Sequence, residues 1–357
     1  MTLLEVHSSI PGMQLLAKGE PADGIAAAEL RAVKKDMEGV VGHTAVAVAQ
    51  IMRSLAPVPM DATKDVLKHR KDLLDNLVAN VMIGQLNDLD RTVNMIDGEG
   101  AKDIANGHEI RRVVGIFGRG GSRIDGVNDP LEGTTFAAQG RDGASSVIAI
   151  SEPGGFIATP LGIDYMDKLF APNIEGLSLD DPPEVTLKKI LNGLRFDDPR
   201  KLRLTVLERP RNRAVIQAGI ELGVDLDLID GGDLLPSSVA GEWSQDLGAQ
   251  VVMGIGGWPE GVIAAAAAKA KGNTFVEARA WHENPEIRNA NARLLSLQEL
   301  VPGERSKTFM VLAHITDDPK YTGQPGVRFY TRSSGAEASL VAVTTMDNRG
   351  VRFAQNF

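Results

Sequence analysis

The chain of 357 residues contains no cysteine, and this absence removes several kinds of chemistry. Without thiols there are no disulfides, no thiolate zinc sites and no cysteine nucleophile. The histidines do not occur in pairs at zinc-ligand spacing, and no Gly-x-Ser-x-Gly elbow for a serine nucleophile is present. What remains is a set of dispersed carboxylates and paired arginines, which fits oxygen-ligated metals acting on a phosphate ester.

Long apolar runs and a basic surface are also missing. The longest apolar run, Val262 to Ala268, is far shorter than the roughly 18 residues of a membrane span. The N-terminus lacks the basic-then-apolar order of a signal peptide, so we expect a cytoplasmic protein that does not bind membranes. The formal net charge of −9 argues against a nucleic-acid partner but not against a small phosphorylated substrate.

The length exceeds what one hydrophobic core usually serves, so we expect two lobes. Antiparallel-looking strands dominate the first half, whereas strands and helices alternate after residue 181, which is typical of a parallel α/β sheet. We therefore predict an α/β protein in three parts. These are an N-terminal arm and helix (1–60), a metal-binding α+β lobe (61–180) and an α/β sugar-phosphate-binding lobe (181–357).

Hydrophobic periodicity and turn residues predict individual elements within these parts. A helix is expected from residue 25 to Ser54, and a second one from about Thr63. Further along the chain we expect a strand over 156–160 and a helix over 234–247.

The stretch Asp129-Pro130-Leu131-Glu132-Gly133-Thr134-Thr135 carries the strongest chemical pattern. Its proline holds Asp129 extended, and its glycine lets the backbone turn. Asp129, the Leu131 carbonyl and Glu132 can then face one point, as hard oxygen ligands of Mg²⁺ or Mn²⁺. Thr134 offers a hydroxyl to a water or phosphate there. An Asp-Pro turn with a helix cap is the alternative explanation.

Three other carboxylates stand at positions with a functional and a structural interpretation. Glu99 lies between two glycines after a strand, which fits either a projecting ligand or a hairpin turn. Asp75 lies beside the apolar face of the second helix, either solvated or pointing across a cleft. Glu260 begins a helix, where it can be a ligand or can simply match the helix dipole.

The strand ends of the second half carry groups suited to a sugar phosphate, since parallel sheets bind ligands at that edge. Arg209 and Arg211 follow one strand, and their planar guanidinium groups suit phosphate. Asp230 and Asp233 follow the next strand as acceptors for sugar hydroxyls. A third, glycine-rich strand end has Pro259 where a dinucleotide loop needs its third glycine.

Taken together, several motifs resemble those of a known family and occur in its order. They are D-P-L-E-G-T-T at 129–135, G-E-G at 98–100, Y-M-x-K-L at 165–169, R-P-R at 209–211 and G-I-G-G-x-P-E-G-V at 254–262. With them the chain resembles the class II fructose-1,6-bisphosphatases of the inositol-monophosphatase/fructose-bisphosphatase superfamily. That family includes bacterial enzymes that also hydrolyse sedoheptulose 1,7-bisphosphate.

The resemblance implies a layered αβαβα fold, a homodimer or homotetramer, and hydrolysis of a sugar 1-phosphate with Mg²⁺ or Mn²⁺. It implies metal ligands at Asp75, Glu99, Asp129, the Leu131 carbonyl, Glu132 and Glu260. It implies catalytic roles for Glu99, Asp103 and Thr134, the last two by holding the attacking water. It implies substrate contacts from Gly133, Thr134, Tyr165, Lys168, Arg209, Arg211 and Asp233.

Some positions depart from the family pattern and keep other functions open. Ala101 replaces the second acid of the family's G-E-G-E, its D-G-D is stretched to Asp230-Gly231-Gly232-Asp233, and its A-T-G-I-T reads Ala313-His314-Ile315-Thr316. The first alternative is a phosphatase for another sugar or cyclitol phosphate. The others are a non-catalytic sugar-phosphate sensor and, from the α/β half alone, a nucleotide-binding oxidoreductase.

Overall fold

The computed structural model describes residues 27–98 and 113–356. The helices of these ranges are α1 (Ala27–Ser54), α2 (Lys64–Asn87), α3 (Thr134–Gln139), α4 (Pro183–Leu194), α5 (Arg213–Leu222), α6 (Leu234–Val239), α7 (Trp258–Lys271), α8 (Pro285–Ala290) and α9 (Leu297–Leu300). The first strands are β1 (Thr92–Gly98), β2 (Gly115–Phe117), β3 (Arg123–Glu132), β4 (Ser145–Ser151), β5 (Tyr165–Pro172), β6 (Leu202–Leu207) and β7 (Asp225–Ile229). The later strands are β8 (Trp243–Ser244), β9 (Gly248–Gly257), β10 (Thr274–Trp281), β11 (Leu295–Ser296), β12 (Phe309–His314), β13 (Arg328–Thr331), β14 (Glu337–Asp347) and β15 (Gly350–Asn356).

The strands form two sheets. The first has the order β13-β14-β12-β4-β3-β1-β2, with β15 paired to β14. The second has the order β11-β10-β5-β9-β6-β7, with β8 paired to β9. Within the second sheet β6 runs parallel to both neighbours, and in the first β1 runs parallel to β3. The α/β class predicted from the sequence is confirmed.

Helices and sheets stack in five layers, in the order αβαβα. Side chains of α1 and α2 pack on the outer face of the first sheet and form one hydrophobic core. Helices α6, α7 and α9 fill a second core between the two sheets. Helices α4 and α5 cover the outer face of the second sheet with a third core. The layered arrangement expected from the family resemblance is therefore present.

Strand β4 shows how one sheet serves two cores, because successive side chains of a strand point to opposite faces. Val147 and Ala149 pack in the core between the sheets. Ile148 and Ile150 pack under the outer helices. All seven residues of β4 are buried, so this strand reads as a continuous apolar run rather than an alternating one.

Helix α7 lies between the sheets and is buried on nearly every side. Ala264 to Ala268 have no exposed surface, and these small side chains let both sheets approach the helix closely. At Gly261, an added Cβ would lie 2.2 Å from the sulfur of Met166 on β5, so this contact requires glycine. Helix α7 is the most deeply buried helix described. No helix in 27–98 or 113–356 is long and apolar enough to cross a membrane.

Several predicted element boundaries match the structure. Helix α1 ends at Ser54 as predicted. The side chain of Thr63 caps α2 by accepting a hydrogen bond from the amide of Val66, which explains why the second helix begins there.

Other predicted elements were wrong. The helix expected over 234–247 ends at Val239, because Gly241 has a left-handed φ of 87° and packs against Thr274. The segment 156–160 is not a strand. Strands β10 and β15, which complete the two sheets, were not predicted.

Sheet membership does not follow the linear order of the chain. Strands β12 to β15 return to the first sheet and pair with β4, whereas β5 already belongs to the second sheet. The division into 1–60, 61–180 and 181–357 stays a prediction. Both halves of the sequence contribute side chains to each of the three hydrophobic cores.

His314 is one of the family departures, and the structure shows a packing role for it. Its ring is buried on β12, with Nε2 2.9 Å from the hydroxyl of Thr344 on β14. Burial lowers the pKa of His314 to about 4, although the nearby Asp318 carboxylate opposes this shift.

Replacing His314 by Gln should flatten the acid side of the stability profile. In the unfolded chain a histidine binds a proton near pH 6.5, whereas folded His314 stays neutral to about pH 4. Stability is therefore lost as the pH falls through this window, by about 2 kcal/mol between pH 7 and 5. Urea unfolding at both pH values measures the loss, with the exposed His43→Gln as control. A loss in His314→Gln as large as in the wild type would contradict the prediction.

Candidate active site

A cleft of about 230 Å³ opens between the end of β3, the loops that follow β6 and β7, and the first turn of α7. It brings together residues that are far apart in the sequence and belong to both sheets. The predicted site residues that line it are Glu132, Gly133, Thr134, Tyr165, Arg209, Arg211, Asp233 and Glu260.

The acidic wall of the cleft is built by a bulge at the end of β3. Asp129 pairs with Val147 of β4 and Glu132 pairs with Ser145, so β3 has one residue more than its partner over this step. Pro130 stands in the bulge, where a residue without an amide hydrogen is tolerated. The extra residue interrupts the regular alternation of side chains between Asp129 and Glu132. Both carboxylates are buried.

Short hydrogen bonds hold the turn after the bulge. The Asp129 carboxylate accepts from the amide of Leu131 at 2.9 Å, and the Thr134 hydroxyl donates to the Leu131 carbonyl at 3.0 Å. Gly133 has a φ of 75° and precedes α3, and an added Cβ there would lie 3.0 Å from the carbonyl oxygen of Gly143. These contacts therefore restrain the backbone that carries the predicted metal ligands of this segment.

One hydrogen bond joins this wall to α6, and Glu260 of α7 adds a further carboxylate beside it. The Glu132 carboxylate accepts a hydrogen bond from the amide of Leu234 at 3.4 Å, at the start of α6. Glu260 lies in the first turn of α7. Its carboxylate folds back over Gly257, where an added Cβ would lie 2.0 Å from Glu260 Oε2. A side chain at position 257 would therefore displace the Glu260 carboxylate from this position.

The chemistry of the donor set suits a hard divalent cation, but the metal centre stays a prediction. Asp129, Glu132 and Glu260 offer only oxygen atoms, as Mg²⁺ and Mn²⁺ prefer. Within 27–98 and 113–356 no group of three or more acidic or histidine side chains is arranged to hold a metal ion. The predicted ligand Glu99 and the predicted catalytic Asp103 lie outside the described residues.

The predicted ligands Asp75, Asp129 and Leu131 are not among the cleft-lining residues, and the ligand role of Asp75 stays a prediction. Asp75 lies on α2, which packs against α3 and β3. Lys71, one helical turn earlier on α2, does line the cleft. Sequence reasoning did not single out Lys71, although its spacing of four residues from Asp75 places both on one helix face.

The basic wall consists of Arg209 and Arg211, in the loop after β6. Arg211 lies 4.3 Å over the ring of Tyr165 and donates to the carbonyl of Ile255. Arg209 donates to the carbonyls of Glu208 and Asp230. In the described part of the chain neither guanidinium pairs with a carboxylate, so both charges are available to an anion in the cleft.

Trp281 on β10 supports this wall and was not found from the sequence. Its ring stands edge-on to that of Tyr165, with centroids 6.1 Å apart, and Arg211 lies 6.0 Å from its centroid. The residue aligns with Tyr165 in the pairing of β10 with β5. Because β10 was not predicted as a strand, no signal placed Trp281 near the site.

Lys168 and Asp233 form a buried ion pair behind the cleft. The ammonium group lies 2.9 Å from the Asp233 carboxylate, and the two side chains are 1% and 8% exposed. Asp233 lines the cleft, whereas Lys168 does not. The predicted contact of Lys168 with substrate stays a prediction, and its observed partner is Asp233.

The fold defines an α/β protein whose cleft carries acidic and basic side chains, and comparison with known proteins identifies its family. The family model described as bacterial fructose-1,6-bisphosphatase, glpX-encoded, matches residues 46–351. The chain belongs to this family. The match includes both walls of the cleft.

Individual relatives carry the name D-fructose 1,6-bisphosphatase class 2/sedoheptulose 1,7-bisphosphatase. One from Synechococcus sp. (strain JA-2-3B'a(2-13)) is 34% identical over 237 residues, covering 63% of this chain and 66% of the relative. One from Crocosphaera subtropica is 32% identical, covering 63% and 68%. One from Synechocystis sp. (strain ATCC 27184 / PCC 6803 / Kazusa) is 31% identical with the same coverage. Each alignment thus spans about two thirds of the relative's length.

Lys168→Met should strongly destabilise the protein, because it leaves the Asp233 carboxylate buried without its cation. We expect a loss of about 3–5 kcal/mol in the free energy of unfolding. The double variant Lys168→Met/Asp233→Asn should lose less than the single one. Urea unfolding at pH 7 measures both, and Lys189→Met is the control because its pair with Asp181 is much more exposed. Equal losses in Lys168→Met and Lys189→Met would contradict the prediction.

Proposed function

We propose that the protein hydrolyses the 1-phosphate ester of a sugar bisphosphate and releases inorganic phosphate. Fructose 1,6-bisphosphate is the first candidate substrate and sedoheptulose 1,7-bisphosphate the second, as the names of the relatives suggest. The observation that carries the proposal is the pairing of an acidic wall with a basic wall across one cleft. A ligand with two phosphates fits both walls, one through a cation and one directly.

The acidic wall requires a cation before it can hold a phosphate. Glu132 and Glu260 face the cleft and would repel a phosphate dianion. We infer that Mg²⁺ or Mn²⁺ is held by Asp75, Asp129, the Leu131 carbonyl, Glu132 and Glu260, together with Glu99 from outside the described residues. When bound, such an ion supplies Lewis acidity to the phosphoryl group.

The remaining residues bind and orient. Thr134 lines the cleft and its hydroxyl donates to the Leu131 carbonyl, which supports a role in fixing a water beside the reacting phosphate. Arg209 and Arg211 bind the second phosphate, and that remote contact aligns the reacting one. Tyr165 supports Arg211 from below and contributes to the same wall.

The proposal extends to the superfamily and to the assembly of the protein. We place the chain in the inositol-monophosphatase superfamily, which the D-P-L-E-G-T-T string at the end of β3 and the αβαβα layering support. The family resemblance also carries the expectation of a homodimer or homotetramer. Light scattering on the purified protein tests the assembly.

Glu132→Gln should abolish most metal-dependent phosphate release, because an amide is a poorer ligand than a carboxylate and leaves the wall one charge short. We expect kcat/KM to fall by about 100-fold or more at fixed Mn²⁺. Phosphate release from fructose 1,6-bisphosphate measures it. The matched control is Glu337→Gln, an exposed carboxylate paired with Arg53. Near-normal activity of Glu132→Gln would remove this residue from the mechanism.

Arg209→Ala should weaken binding of a bisphosphate but hardly alter turnover of a monophosphate, because the lost contact serves the second phosphate. We expect KM for fructose 1,6-bisphosphate to rise about tenfold, as a charged hydrogen bond contributes about 1.5–3 kcal/mol. Steady-state kinetics on fructose 1,6-bisphosphate and fructose 1-phosphate make the comparison. Equal effects on both substrates would reject the proposed contact between Arg209 and the second phosphate.

A panel of phosphosugars, with free phosphate as the readout, tests the function itself. The proposal expects turnover of sugar bisphosphates under Mg²⁺ or Mn²⁺. Preferential turnover of another sugar or cyclitol phosphate would reassign the substrate. Binding of a sugar phosphate without turnover would make the protein a sensor.

A further inference from the structure

We propose that Arg141 is a positioning residue, which holds the loop Asp230–Asp233 in place and so sets the affinity of the cleft for its sugar bisphosphate. The proposal rests on the proposed function of the cleft. Arg141 does not line that cleft, and nothing in the family motifs points to it.

Arg141 is held in a single geometry by three neighbours. Its guanidinium forms a two-point ion pair with the Asp230 carboxylate, with N–O distances of 2.7 and 3.3 Å. It lies 4.7 Å over the ring of Phe136 and also donates to the side-chain oxygen of Gln139. A planar fork already oriented by stacking loses little freedom when it pairs, so this ion pair is stronger than an ordinary surface pair.

The loop needs such an anchor because its middle consists of two glycines. Gly231 and Gly232 have wide backbone freedom, and Gly232 adopts a φ of 72°. The acids at either end are held by cations from different elements, Asp230 by Arg141 and Asp233 by the buried Lys168. If the Arg141 contact is lost, Asp230 loses its side-chain anchor and keeps only the hydrogen bond from Arg209 to its carbonyl.

The loop is also a thin partition between two clefts. A second cleft of about 290 Å³ lies behind it, and Asp230, Gly231, Gly232 and Phe136 line both clefts. With clefts on both sides, Asp230 is exposed and Gly231 and Gly232 are only partly buried. The ring of Phe136 would lie 2.8 Å from a Cβ at Gly232, so Phe136 and Arg141 together form its support from behind.

Loosening of the loop should affect binding more than chemistry. The Asp230 carbonyl accepts a hydrogen bond from Arg209, so displacement of Asp230 also disturbs the basic wall. Asp129 and the Thr134–Leu131 contact belong to the β3 bulge and do not touch Asp230 or Gly231. Glu132 accepts from the amide of Leu234, next to the Asp233 end that Lys168 holds. We therefore expect loss of Arg141 to act on KM through the Asp230 end of the loop and to leave the acidic wall in place.

The first test is steady-state kinetics of Arg141→Met in the full-length protein with fructose 1,6-bisphosphate and Mn²⁺. We expect KM to rise about fivefold, with kcat and the Mn²⁺ dependence within about twofold of the wild type. Arg141→Lys should recover part of the loss, since it restores the charge but not the two-point contact. Arg141→Met/Asp230→Asn should be no worse than the more affected single variant, because both remove the same ion pair.

Hydrogen exchange provides a readout that does not depend on the identity of the substrate. Amides of the peptide spanning residues 226–236 should exchange faster in Arg141→Met than in the wild type. The matched control is Arg203→Met, which breaks an ion pair of similar length and exposure with Asp225 on the neighbouring strand. It should leave KM and the exchange of Gly231 and Gly232 unchanged.

These measurements separate failure of the inference from failure of the proposed function. A wild type that does not hydrolyse the sugar bisphosphate, combined with faster exchange in Arg141→Met, rejects the function and supports the role of Arg141. Unchanged exchange in Arg141→Met overturns the inference whatever the activity. So does a fall in kcat with a shifted Mn²⁺ dependence, or additive losses in the double variant.

Discussion

The close packing of α7 between the two sheets is the constraint on which the site depends. One wall of the cleft comes from β3 of the first sheet and the other from the loops of the second sheet. Their separation is set by the helix between them, where Ala264 to Ala268 have no exposed surface and Gly261 meets Met166 directly. Larger side chains along α7 would push the sheets apart, and the acidic and basic walls would no longer face one ligand.

The two walls of the cleft carry opposite charges, and different contacts hold each of them in place. The acidic wall is stabilised by backbone contacts, since Asp129 accepts from the Leu131 amide and Glu132 from the Leu234 amide. The basic wall is held by carbonyls and aromatic rings, as Arg211 over Tyr165 shows. Neutralisation of both walls by a bisphosphate and its cation is the electrostatic basis of the proposed function.

The family departures fall into different physical classes once the structure is known. His314 belongs to the packing of β12 against β14 and lies away from the cleft-lining residues. The extra glycine of Asp230-Gly231-Gly232-Asp233 lies in the cleft wall itself, beside the residues of the proposed substrate site. The third departure, Ala101, lies outside the described residues.

Local sequence patterns determined the parts of this protein that depend on neighbouring residues. The cap at Thr63, the end of α1, the turn chemistry of residues 129–135 and the arginines after β6 are all visible in the sequence, because each needs only a few adjacent residues. The family motifs extended this to the α/β class and to most residues that line the cleft.

Only the tertiary structure decided which distant groups meet. Three such contacts are not encoded by spacing along the chain. They are the return of β12–β15 to the first sheet, Trp281 beside Tyr165 and the pairing of Lys168 with Asp233. Pairing between strands joins residues that are more than a hundred positions apart, as in β12 with β4. Such contacts are selected by the packing of whole layers, and a local pattern holds no information about its partner.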